Sequence, residues 1–205
     1  MRCIRWTKLT DFSYSYVVYN DLDTVNGYRV QLATTPLSSS IQTSCSPTTN
    51  PSAEEFHVLV KTVSSLSVYK ECPSLLQGLW KYEHQSLNTT SCRADSSLSV
   101  CGTTVKFNYQ KCNKTQAFSE GGEVNCIHTK MDNVSQHYFT IVYNADENID
   151  TLTTHRFTCF AFVQNESVVQ ASDSAGSCEP SQTATNRQTD GSGTLLLQKS
   201  GVCRK

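Results

Sequence analysis

Apolar and polar positions alternate with a period of two along much of this chain. Phe12, Tyr14, Tyr16 and Val18 alternate with Ser13, Ser15 and their neighbours. Asn26-Gly27 then precedes a second such run at residues 28–32. An Asn-Gly between two strand-like runs predicts a hairpin, because both turn positions favour φ > 0; residues 20–24 lengthen the connection. Residues 34–53 are rich in Ser, Thr and Pro and read as a long loop tied by Cys45. Phe56, Val58 and Val60 predict another strand. After Cys72-Pro73, residues 78–84 place Trp80 and Tyr82 on one face. Thr103, Val105, Phe107 and Tyr109 alternate with Thr104, Lys106, Asn108 and Gln110. Residues 137–143 are more evenly apolar, as a strand covered on both faces is. A polar turn at 144–150, a dense aromatic strand at 156–163, a Ser/Thr/Gly/Asp-rich stretch at 171–193 and a short strand at 194–198 complete the pattern. Residues 63–77 have room for one or two helical turns, and no amphipathic helix stands out. The fold class is all-β, with about ten short strands in antiparallel sheets.

The ten cysteines add where this chain folds. They stand at 3, 45, 72, 92, 101, 112, 126, 159, 178 and 203, an even and dispersed set without Cys-x-x-Cys spacing. Such a set implies disulfides made outside the cytosol. Spacing alone leaves the pairing open; Cys92 with Cys101 across a hairpin-sized loop, and Cys126 with Cys159 between neighbouring strands, are the suggested pairs, with Cys72 and Cys112 as further candidates. Charged residues are 17% of the chain while Ser and Thr fill 50 positions, a balance that suits an extracellular β-protein. Nine Tyr, eight Phe and two Trp leave enough aromatic surface for a core. The net charge of −1 gives no sign of a basic face for nucleic acid or an anionic membrane. Apolar runs stay near three or four residues, as at Leu195-Leu196-Leu197, far short of the about 20 that a membrane-spanning helix needs. Residues 1–6 also lack the apolar stretch of a signal peptide. A piece of a longer secreted or surface protein reconciles that with the cysteines. Four sequons, at Asn88, Asn113, Asn133 and Asn165, are expected glycosylation sites in exposed loops.

The order of several segments resembles the tandem cysteine-rich modules, themselves domains of unknown function, of large invertebrate secreted or single-pass surface glycoproteins. One such module closes on an Arg-Cys-Ile plus aromatic stretch, similar to RCIRWTKLTDFSYSYVVY at 2–19 and the EEFHVLVK run at 54–61. The next opens with Cys-Pro and Gly-x-Trp, as in CPSLLQGLWKYEH at 72–84, and continues through the Cys92/Cys101 pair and a Phe-Asn-Tyr-Gln-x-Cys element at 107–112. It ends on an Arg-aromatic-x-Cys strand, similar to HRFTCFAFV at 155–163. Where the pattern has Gly-Ser-Trp, this chain has Ile127-His128-Thr129 after Cys126. The resemblance implies three parts: 1–71 as the end of one β module, 72–178 as a central module, and 179–205 as the start of a following one. It also implies an extracellular site and carries no catalytic residues over.

Candidate chemistry is sparse. Gly78-x-Trp80 near the start of a β module invites a lipocalin-like barrel as the alternative to a sandwich. In that reading Arg156 rests on the Trp80 indole, and the barrel encloses a small hydrophobic ligand. Cys126-x-His128 lacks zinc-site spacing, and His57, His84, His137 and His155 are scattered. The run Asp21-Leu22-Asp23 departs from a calcium loop at Val25 and Leu32; Asp146, Glu147 and Asp150 offer at most a shallow calcium turn. No nucleophile elbow, zincin motif or phosphate loop is present, and Gly191-Ser192-Gly193 reads as a turn. These readings point to a non-catalytic extracellular protein with a structural or interaction role toward protein or glycan partners, without cofactor or metal. The alternative is a lipocalin-like carrier.

Overall fold

The computed structural model describes residues 3–25, 27–30, 45–61, 68–86, 89–108, 119–147, 149 and 154–203, with the backbone alone over 89–95. Thirteen strands lie among them and no α-helix, three more strands than the alternation suggests. Of the room foreseen for helical turns at 63–77, residues 63–67 lie outside the described residues, and a 3₁₀ turn forms at Ser74–Leu76.

Eight consecutive strands close into a barrel: β6 (Gly78–Ser86), β7 (Thr89–Cys101), β8 (Thr104–Phe107), β9 (Glu123–Met131), β10 (Tyr138–Tyr143), β11 (Phe157–Asn165), β12 (Val168–Ala175) and β13 (Thr194–Gly201). Each pairs antiparallel with the next, and β13 returns to pair with β6. The barrel alternative is therefore the one the chain adopts. β13 lies within 179–205, so the segment expected to open a following module supplies the closing strand.

Period-two alternation explains the closure. Trp80, Tyr82 and His84 are buried while Leu79, Lys81 and Gln85 face out. Leu98, Val100, Val105, Phe107, Phe160, Phe162, Val169, Leu195 and Leu197 complete one interior core. An eight-stranded barrel has an interior just wide enough for side chains to fill it or for one small ligand. Each buried large apolar side chain contributes roughly 1.5–3 kcal/mol before the entropy of ordering it is subtracted.

A second layer covers one wall. β1 (Ile4–Lys8), β2 (Ser13–Val18) and β5 (His57–Val60) form a three-stranded sheet in the order β1-β2-β5. Phe56 and Val58 pack with Val68, Ile127, Phe139, Ile141, Cys159, Ala161 and Cys178 on the outside of β9, β10 and β11. This is why β10 is apolar on both faces: Thr140 and Val142 face the barrel interior, Phe139 and Ile141 face the second layer. The predicted turn at Asn26-Gly27 joins only β3 (Leu22–Asp23) and β4 (Tyr28–Arg29), because β2 pairs with β1 and β5 instead. Gly27 has φ +73° and donates its N–H to the Asp23 carbonyl at 2.8 Å; Asn26 lies outside the described residues. Arg29 fastens this lobe by reaching the Asn20 and Thr49 carbonyls at 2.9 Å and Glu55 Oε1 at 2.8 Å.

Among the described residues four disulfides join Cys3–Cys45, Cys72–Cys126, Cys101–Cys203 and Cys159–Cys178. Both suggested pairings are corrected. Cys92 and Cys101 sit on the same strand, β7, where nine residues extend about 30 Å, far beyond the reach of a disulfide. Cys126 and Cys159 lie on β9 and β11, which β10 separates, and Cys126 belongs to the interior core while Cys159 belongs to the outer layer. The side chains of Cys92 and Cys112 lie outside the described residues.

Candidate functional site

Up-and-down topology sorts the molecule into two ends. β6, β8, β10 and β12 all start at one end; β7, β9, β11 and β13 all start at the other.

The end where β6 starts is sealed by apolar groups. The 3₁₀ turn brings Leu76 beneath Trp80, and Trp80 Nε1 donates to the Leu76 carbonyl at 2.7 Å. Lys199, on the last strand, holds its ammonium 5.5 Å from the Trp80 ring centroid. Gln77 bridges Cys72 and the β7–β8 turn, donating to the carbonyls of Cys72 at 2.9 Å and Gly102 at 2.8 Å. Gly78, with φ +143°, leaves room for the Gly201 carbonyl, which a Cβ would meet at 2.9 Å. The expected cation over Trp80 is therefore present, but it is Lys199 and not Arg156. Arg156 precedes β11 at the opposite end, where its guanidinium lies 5.4 Å from the Tyr143 ring and donates to the Asn144 and Asp146 carbonyls at 2.8 Å. Strand order makes the Trp80–Arg156 contact unreachable.

At the other end, where β13 starts, a polar clasp holds the segment that enters this strand. Asp173 on β12 is buried and points toward the segment entering β13. Its carboxylate accepts from Ser192 Oγ at 3.0 Å and from the backbone N–H groups of Ser192 at 3.1 Å and Gly193 at 3.2 Å. His84 Nε2 lies 3.4 Å from Ser192 Oγ. Glycine on each side of Ser192 makes this approach feasible: a Cβ at 191 would lie 2.1 Å from the Asp173 carbonyl, and one at 193 would lie 2.2 Å from the Gln85 carbonyl. Burial pushes the Asp173 carboxyl above the ordinary carboxylate range, against the pull of these donors. A serine between a carboxylate and an imidazole is not the order that activates a nucleophile, in which the imidazole takes the hydroxyl proton and the carboxylate orients the imidazole. The two N–H groups are already occupied by Asp173. The arrangement suits a latch that holds residues 191–193 against β12 and β6.

Between the two ends the interior is nearly full. A cavity among Leu98, Val105, Phe107, Val142, Phe160 and Leu195 offers 30 Å³ to the centre of a water-sized sphere, room for one or two waters. Tyr82 Oη and Ser96 Oγ, on residues paired across β6 and β7, are buried without a hydrogen-bond partner among the described residues. Burial pushes the Tyr82 phenol up to about 12.

The remaining sequence candidates scatter. Cys126 is cross-linked to Cys72, so Cys126-x-His128 offers no thiolate. His128 packs edge-on against Phe56, and His57 stacks on Tyr16. No group of three or more His, Cys, Asp or Glu converges among the described residues. Asp146 is engaged, accepting the Glu120 N–H at 2.7 Å, while Asp150 lies outside the described residues. Asn133 is exposed in the β9–β10 turn and Asn165 at the β11–β12 turn; Asn88 and Asn113 lie outside the described residues. The reading as a turn missed Ser192, because its partners His84 and Asp173 are 108 and 19 positions away. The two glycines around it were the one local signal of a close backbone approach. Lys199 gave no signal of its own.

No helix among the described residues is long and apolar enough to cross a membrane. No curated protein and no solved structure matches this chain. Residues 70–193, more than half of the chain and all of the barrel but its last strand, match the model of a domain of unknown function, DUF7042. The chain belongs to the DUF7042 family.

Proposed function

We propose that this chain is a non-catalytic recognition module of a secreted or cell-surface glycoprotein and that it binds partners with its outer faces. The observation that carries this reading is the filled barrel, which leaves 30 Å³ inside. Drug-sized ligand sites measure about 300–1,000 Å³. The four disulfides support an oxidising compartment, and the two described sequons are exposed. The outer sheet adds an interaction surface of its own. Ile4, Trp6, Tyr14, Tyr16, Val18 and Leu59 share its outward face, with Trp6 64% exposed and Ile4 and Leu59 each 56% exposed. Contiguous exposed apolar surface of this kind marks binding sites.

The test has two arms. The chain is secreted from an oxidising host and its peptides are mapped without reduction, and the folded product is titrated with an apolar fluorescent probe. The expected map contains the four cross-links, and the probe stays dark. Free thiols in a folded product, or stoichiometric probe uptake, would sink the reading.

A second reading, a lipocalin-like carrier of a small apolar ligand, is supported by the up-and-down barrel, the 3₁₀ turn before Gly78-x-Trp80, and the unpartnered Tyr82 Oη and Ser96 Oγ. A ligand with one polar head would satisfy those two groups. Asp173→Ala, which frees the segment entering β13, would then take up probe that the parent excludes.

A further inference from the structure

The outer wall of β12, β13 and β6 carries a polar groove, and its interpretation rests on the reading that this module binds with its exterior. Strand register aligns Gln170 with Leu196 and Leu196 with Glu83, and it aligns Thr194 with Gln85. Their strand neighbours Ala171, Leu195 and His84 are buried, so these five side chains face outward. The loop that follows Cys178 supplies the opposing wall. Gln182 and Ala184 are buried, Ser172 Oγ donates to the Thr183 carbonyl at 2.7 Å, and Ala184 and Thr185 line the groove. The space measures 270 Å³ for the centre of a water-sized sphere.

The lining has a chemical bias. Glu83 and Gln170 are half-buried, yet neither they nor Gln85 makes a side-chain hydrogen bond or ion pair among the described residues. Their polar atoms are open to water and not spent on a protein partner, so a ligand can engage them without breaking an internal contact. A carboxylate accepts two hydroxyl protons, and each carboxamide both donates and accepts. This set matches adjacent hydroxyl groups, which also donate and accept. Leu196 forms an apolar floor between them. Glu83 and Gln170 stand on the strands flanking β13, about 10 Å apart at the backbone, the width of one six-membered ring with a hydrogen bond on either side. The volume lies just below that of drug-sized sites, which also suits a single ring. Among the described residues, no cation lines the groove to receive an anion, and no aromatic box surrounds Glu83 to receive an ammonium group.

We propose that this groove binds one pyranose ring of a neutral saccharide, with Glu83 and Gln170 bracketing its hydroxyls, Gln85 and Thr194 at its rim and Leu196 beneath its apolar face. The disulfide-intact chain is titrated with methyl glycosides of glucose, galactose, mannose and N-acetylglucosamine, followed by calorimetry and amide chemical shifts. The expected result is binding by at least one glycoside with a Kd near about 1 mM, as small polar ligands show. It moves the amides of Gln170, Leu196 and Glu83 and is insensitive to salt. Glu83→Ala and Gln170→Ala each weaken it by about tenfold, while Lys106→Ala on β8 leaves it unchanged. All three variants keep the parent Tm, because the substituted side chains face solvent. Absence of binding by every glycoside would overturn the assignment, as would preference for tetramethylammonium that fades with salt. Glycoside binding that survives both groove substitutions would move the site elsewhere while leaving exterior recognition standing. Probe uptake into the barrel would instead count against exterior recognition itself.

Discussion

At the scale of single residues, two titrating groups impose opposite pH slopes on stability. Asp173 has its carboxyl raised by burial, so folding favours its protonated form. The contribution of this group is fully present below its unfolded value near about 4 and is lost as pH rises through the raised one. Asp173→Asn removes that loss, so the variant gains on the parent as pH rises from acid toward neutral, read as urea midpoints across the range. His128 behaves in reverse. Desolvation, with repulsion from Lys130 and Lys70, pushes its ring from 6.5 down to about 4. Folding favours the neutral ring, so the stabilisation is complete above 6.5 and disappears as pH falls toward about 4. His128→Gln flattens the stability curve over that window, and an unchanged slope would assign it to another group. The isolated positions of both residues in the sequence, an Asp among serines and a His after a cysteine, reveal neither shift. Burial by residues distant in sequence produces both.

At the scale of elements, legibility follows which faces of a strand are covered. β8, β10, β11 and β13 were readable, because Val105 and Phe107, or the apolar runs at 138–143 and 157–163, carry the period in their own residues. β12 was not: Ala171, Ser172, Asp173 and Ser174 look like loop. Their extended form comes from the ladder to β11, from Thr158–Ala175 to Asn165–Val168, and from Asp173 receiving the latch. That latch depends on the start of β13. Gly193→Ala places a Cβ 2.2 Å from the Gln85 carbonyl and 2.5 Å from His84 Nε2, so β13 and β6 must part locally. The expected cost is about 3 kcal/mol in urea unfolding, with faster amide exchange at Gln85 and Thr194. Wild-type stability in that variant would mean the two strands are looser than their register implies.

At the scale of the whole molecule, closure of the barrel depends on its last strand, and a long-range cross-link secures that strand. Cys101–Cys203 spans 102 residues and ties the end of β13 to the end of β7. Loop entropy over such a span corresponds to about 4–5 kcal/mol, so the double variant Cys101→Ala/Cys203→Ala should lose about 4 kcal/mol and expose the Trp80 end first. Calorimetry and Trp fluorescence would read both effects; a loss below about 1 kcal/mol would show that β13 closes the barrel on packing alone. The family match ends at residue 193, whereas the closing strand runs to Gly201, so the folded unit extends past the match.

The sequence by itself determined that this chain is a disulfide-bonded β-protein, because alternation and cysteine number are local or additive properties. It offered Gly78-x-Trp80 as the opening of a barrel and left barrel and sandwich open, since a glycine and an indole two residues apart act within one strand and do not report closure. Only the tertiary structure decided which cysteines meet, which cation covers Trp80, and which polar groups converge on Asp173 or on the Glu83 groove. Those contacts join strands that lie far apart in sequence and become neighbours only when β13 returns to β6. Pairing across a closed barrel is set by strand order and stagger, and neither is encoded in the spacing of the residues that finally touch.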